Sequence, residues 1–125
     1  MARGPGAEPG LTHLRVTFTP EFYLGPGRAD LLQGIAETGS ISAAGKRMGM
    51  SYKRAWSLVQ ALNEGFGAPL VEASRGGAAQ GGASLTPDGR FVLEQYRQMQ
   101  AATRTAIAPG MAAMADRLHD IAERK

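Results

Sequence analysis

The sequence predicts a mainly α fold with a small β wing, and three observations predict it. Between Arg28 and Asn63, apolar residues recur at helical spacing in three short runs separated by glycines. Two brief β-type runs, Leu70–Arg75 and Ala83–Leu85, then flank seven residues that hold four glycines, Gly76, Gly77, Gly81 and Gly82. Finally, Thr86-Pro87-Asp88 opens a long run of helical periodicity. The order is strand, helix, helix–turn–helix, hairpin, helix, which describes a winged helix-turn-helix.

Taken in order, residues 1–10 are rich in Gly and Pro and are expected to be a flexible tail. Leu14, Val16 and Phe18 alternate with polar neighbours, so Leu11–Phe18 is expected as a half-buried strand. Pro20 and the Gly25-Pro26-Gly27 turn end it. Helix one is expected from about Arg28 to Thr38, with Leu31, Leu32 and Ile35 inward and Gly39 as its C-cap. Helix two starts after Ser40 or Ser42 and ends by Met48. Helix three follows the N-cap Ser51 to about Asn63. Its inward face is Ala55, Leu58, Val59 and Leu62, with Tyr52 and Trp56 on the flank, and Trp56 is expected to pack against helix one. Thr86 caps the long helix, Pro87 takes its first position, and Asp88 meets its positive end. Pro109-Gly110 is expected to stop that helix, so the winged domain spans 11–107 and an additional amphipathic helix occupies 108–125.

Composition narrows the function. The chain has 125 residues, enough for one domain with a short appendage. It has no cysteine, so disulfides and thiolate chemistry are excluded, and its two histidines are far apart in sequence. No apolar run approaches the roughly 20 residues of a membrane helix, and the start has no signal-peptide core. A cytoplasmic protein with no membrane partner is the expectation.

The 14 basic and 11 acidic residues give a net charge of +3. Between Glu37 and Glu64 there is no acidic residue, and that window holds Lys46, Arg47, Lys53 and Arg54. Such a block on a nearly neutral body is the footprint of a polyanion site. It coincides with the segment Ile41–Leu62, where Gly45 suits a close helix–helix approach and Gly49 a turn with positive φ.

The candidate DNA contacts follow from this geometry. Lys53, Arg54, Ser57 and Gln60 point away from the core of helix three, where Arg and Lys suit guanine and Gln suits adenine. Ser51 and Tyr52 sit where hydroxyls or the helix dipole meet phosphate, and Ser42, Lys46 and Arg47 are placed for backbone contacts. Arg75, beside the wing tip, is expected to reach the neighbouring minor groove or phosphates.

The run Gly39-Ser40-Ile41-Ser42-Ala43-Ala44-Gly45-Lys46-Arg47-Met48-Gly49-Met50-Ser51 resembles the start of a LysR-type DNA-binding domain. Ser51-Tyr52-Lys53-Arg54-Ala55-Trp56 more specifically resembles the recognition helix of the molybdate-responsive ModE family. Leu70-Val71-Glu72, the doubled glycines and Leu85-Thr86-Pro87-Asp88-Gly89 are similar to the wing and long helix of that family. The resemblance covers about residues 14–107. It implies a transcription factor that dimerises on an inverted-repeat operator of molybdate-transport or molybdoenzyme genes. ModE proteins usually continue into a molybdate-binding module, which this sequence does not show. No cofactor is therefore expected in the chain, and a separate oxyanion-sensing protein is a candidate partner.

Two other function classes fit the sequence less well. Gly39 to Lys46 superficially suggests a phosphate loop, but five residues separate Gly39 from Gly45 where four are needed, and Arg47 replaces Ser or Thr. With no paired carboxylates or His-based triad in evidence, no enzyme is expected and no metal site. A winged helix serving protein or RNA contact is the alternative. Lys53 and Arg54 argue against a purely protein partner, and only Tyr52 was a candidate for the base stacking that RNA readers use. The apolar stripe of Met99, Ala102, Ala106, Met111, Met114, Leu118 and Ile121 is expected to form a homodimer contact.

Overall fold

The computed structural model describes residues 10–73 and 82–124, with side chains described as far as Leu118. Its elements are β1 (Val16–Thr17), β2 (Tyr23–Leu24), α1 (Pro26–Thr38), α2 (Ile41–Arg47), α3 (Tyr52–Phe66), β3 (Val71–Ala73), β4 (Ala83–Leu85) and α4 (Pro87–Arg124). This is the expected mainly helical winged helix-turn-helix. The chain divides into two compact units, one of Arg15–Tyr96 and one of the residues up to Leu14 with those from Arg97 onward.

In the first unit, β1 and β2 pair antiparallel, Val16 opposite Leu24. The strand expected over Leu11–Phe18 is thus confined to two residues. The chain reverses at once because the Thr19 hydroxyl oxygen accepts from the backbone N–H of Phe22 at 2.9 Å and of Glu21 at 3.2 Å. That reversal exchanges the aromatic roles. Phe22 enters the core at 4% exposure, while Phe18 stays 54% exposed. The expected Gly25-Pro26-Gly27 turn is instead a helix start. Gly25 is the N-cap of α1 and Pro26 its first residue, a position where Pro costs no hydrogen bond.

Leu31, Leu32 and Ile35 of α1 are fully buried, as the periodicity predicts. They share the core with Ala44, Ala55, Val59, Leu62, Leu70 and Tyr96. Ser40, not Ser42, caps α2, accepting from the Ala43 N–H at 3.0 Å. Ser51 caps α3 by accepting from the Arg54 N–H at 3.1 Å. The wing is an antiparallel pair with Val71 opposite Leu85 and Ala73 opposite Ala83. Its base is fixed twice. Ala83 N–H donates to the Gly39 carbonyl at 2.9 Å. Asn63 of α3 accepts from the N–H groups of Leu70 (2.8 Å) and Val71 (3.1 Å) and donates to the Val71 carbonyl (3.1 Å). The expected Thr86 cap is formed: its hydroxyl accepts from Gly89 N–H at 3.0 Å and donates to the Pro69 carbonyl at 2.8 Å. The glycine-rich segment 74–81, and Arg75 with it, lies outside the described residues.

In the second unit α4 continues, with Gln100 buried and accepting from Arg97 Nη1 at 3.0 Å. The break expected at Pro109-Gly110 does not occur, and Pro109 lies inside the helix. Proline removes one backbone hydrogen bond, but Ala106, Ala108, Ala112, Ala113 and Ala115 around it are strong helix formers. Met114 (72%) and Leu118 (68%) are exposed. The side chain of Ile121, the last member of the expected stripe, lies outside the described residues.

Candidate nucleic-acid interface

The interface is assembled by the two glycines of the helix–turn–helix. A Cβ placed on Gly45 falls 2.9 Å from Ala55 Cβ and 3.4 Å from Met50 Cγ, so only glycine lets α2 and α3 approach this closely. Gly49 adopts φ 71° between the helices, where other L-residues are strained. Ala55 is buried at this contact, Ala44 is buried where α2 meets Gly34 of α1, and Met48 and Met50 are half-buried. Together these residues aim the outward face of α3 away from the core.

Lys53, Arg54 and Ser57 are exposed on that face, and Gln60 is half-buried beside them. Ser51 and Tyr52 are exposed at the N-terminal end of α3, and Ser42 and Lys46 are exposed on α2. Two of the candidate contacts carry prior commitments. The Ser51 oxygen already accepts the capping bond, which leaves its O–H as the available donor. Arg47 is held by Glu37, with Nη1 2.6 Å from Oε1 and both side chains about half exposed. Glu37 also accepts from Gln33 Nε2 at 2.9 Å. Lys46, Lys53 and Arg54 have no carboxylate partner among the described residues.

The structure corrects one placement. Trp56 does not pack against α1 but is 46% exposed, close to the 50% of Tyr52. The reason is local. Trp56 follows Ala55, which fills the contact with Gly45, and the inward positions of α3 are taken by Ala55, Val59 and Leu62. A groove of about 230 Å³ opens between α3 and the wing, and Trp56, Tyr52, Ile41, Val59 and Val71 line it. The sequence carried a signal for this placement, because Trp56 lies only about 40° around the helix from Gln60 and about 60° from Lys53. Among the described residues no cluster of His, Asp or Glu is built to hold a metal ion, and no helix is long and apolar enough to cross a membrane.

A helix presenting cationic, hydroxyl and amide groups beside a β wing is the arrangement of a winged helix-turn-helix domain. The chain belongs to the bacterial regulatory helix-turn-helix proteins of the lysR family, which residues 28–90 match. It is 49% identical over 78 residues to the molybdenum-pterin-binding protein MopB of Rhodobacter capsulatus, covering 62% of this chain and 29% of MopB. It is 37% identical over 83 residues to the DNA-binding transcriptional dual regulator ModE of Escherichia coli K12, covering 66% of this chain and 32% of ModE. The chain therefore spans under a third of the length of these curated relatives. The solved complex of the CbnR DNA-binding domain with DNA is similar at a TM-score of 0.55 and 30% identity, covering 70% of this chain and 95% of CbnR's.

Proposed function

We propose that this chain binds duplex DNA sequence-specifically, as a homodimer on an inverted-repeat operator, and regulates molybdate-transport or molybdoenzyme genes. The observation that carries the reading is the outward face of α3, where Lys53, Arg54 and Ser57 are exposed with Gln60 half-buried beside them, on a helix locked by Gly45 and Ser51. A helix of this kind enters the major groove with its N-terminal half nearest the base edges. Arg54 and Lys53 donate to guanine N7 and O6, and the Gln60 amide pairs with adenine. Lys46, the Tyr52 hydroxyl and the Ser51 O–H are placed to meet phosphates and set the register. Similarity to ModE and MopB supports the link to molybdenum, and similarity to a domain solved on DNA supports the duplex. The exposed apolar side chains of Met114 and Leu118 support a second copy as partner.

Titration of binding to duplex DNA against salt tests the reading. Each phosphate neutralised contributes about −0.9 to the log–log slope, so a slope steeper than about −2 is expected from Lys46, Lys53 and Arg54. An affinity indifferent to salt overturns the polyanion reading. A footprint in the parent genome, taken with and without molybdate, then identifies the genes.

A further inference from the structure

We propose that Trp56 reads the operator by apolar contact, packing its indole against the 5-methyl group of a thymine in the major groove. The proposal rests on the DNA-binding reading above and names the chemistry of one further specificity contact.

The placement of the ring comes first. Trp56 and Tyr52 are one turn apart on α3, and both are about half exposed. Trp56 shares the outward stripe with Lys53 and Gln60, so a duplex seated on those two side chains covers the indole as well. A duplex seated there would cover the part of the indole that the chain leaves exposed.

The chemistry of the groove then selects what it meets. Among the described residues its lining holds no cation and one carboxylate, Glu72, which repels phosphate. The Asn63 amide at its floor is already bonded to Leu70 and Val71 of the wing. Gln60 and Tyr52 add polar groups to the lining, and Trp56, Ile41, Val59 and Val71 form its apolar part. The apolar part of this lining, Trp56 included, suits a methyl group. On the major-groove edges of the four base pairs, the thymine 5-methyl is the one apolar group offered.

The test uses the duplex that this protein selects from a random pool. Each thymine in it is replaced singly by deoxyuridine, which removes the methyl and keeps the pairing. The parent protein is expected to bind about fourfold more weakly at one thymine in each half-site, the effect of one buried methyl. Trp56→Ala is expected to bind the thymine duplex more weakly and to be indifferent to uridine at that position. Trp56→Phe is expected to keep part of the methyl sensitivity, so the proposal does not depend on the alanine variant folding. Three outcomes overturn it: no uridine effect on the parent, an undiminished uridine effect on Trp56→Ala, or a loss in Trp56→Phe as large as in Trp56→Ala. The last would make the indole N–H, donating to phosphate, the relevant group. Failure to select any duplex overturns the DNA-binding reading itself, whereas selection without a uridine effect overturns only the role of Trp56.

Discussion

Gly45→Ala sets two effects of known size against each other. Alanine in a helix interior is favoured over glycine by about 1 kcal/mol, so propensity alone predicts a more stable protein. The new Cβ, however, would lie 2.9 Å from Ala55 Cβ. Carbon atoms pack best at roughly 3.5–4.0 Å, so α2 and α3 must separate by about 0.6–1 Å. Overpacking of this kind costs about 1–3 kcal/mol, and the net expectation is a loss of about 0–2 kcal/mol. In urea unfolding, with a slope of about 1–2 kcal/mol/M, the midpoint should fall by up to about 2 M. Ala55→Gly alone should lose about 2 kcal/mol, from propensity and one buried methyl. Gly45→Ala/Ala55→Gly moves the methyl from one helix to the other and should return close to the parent. A Gly45→Ala protein about 1 kcal/mol more stable than the parent would refute the reasoning, because the propensity gain would then be unopposed. So would a double variant less stable than Ala55→Gly alone. DNA binding offers a second readout, since displaced helices re-aim Lys53, Arg54 and Gln60 and should reduce discrimination between operator and random duplex.

Asn63→Ala should cost about 2 kcal/mol or more, because it leaves the Leu70 and Val71 N–H groups without their acceptor, and thermal unfolding reads it directly. Arg54→Ala and Gln60→Ala should each lose about 1–3 kcal/mol of discrimination in competition binding, whereas Lys46→Ala should weaken operator and random DNA alike. Equal losses for all three would erase that division of roles. Light scattering at micromolar concentration should give about twice the monomer mass of 13.2 kDa, and deletion of 108–125 should lower it if Met114 and Leu118 bury against a second copy. A mass of one chain in the parent protein would sink the dimer.

Local chemistry made most of the fold legible in the sequence. Ser51 and Thr86 announce helix starts because a side-chain oxygen can satisfy an end N–H, and both do so in the structure. Gly45 and Gly49 mark the helix–turn–helix because close approach and positive φ each exclude a side chain. The inward stripe of α1 follows from spacing, which is a property of the chain alone. For the same reason the exposed cations Lys46, Lys53 and Arg54 are legible in the sequence.

Tertiary structure decided the rest, wherever two sequence signals competed or a partner was distant in the chain. Phe18 and Phe22 were both eligible for the core, and the Thr19 turn awarded the place to Phe22. Trp56 is apolar enough to be buried, yet Ala55 and Gly45 had already closed the interior on its side of α3. Asn63 carries no motif, and its role as wing anchor exists only because Leu70 and Val71 return to it. Arg47 counted toward the basic block until α1 brought Glu37 within 2.6 Å of it. Pro109 reads as a stop, but a helix flanked by alanines bears the loss of one hydrogen bond. Periodicity and capping are set within a few residues, so the sequence states them. Which of several apolar or charged groups faces inward depends on what arrives from elsewhere in the chain.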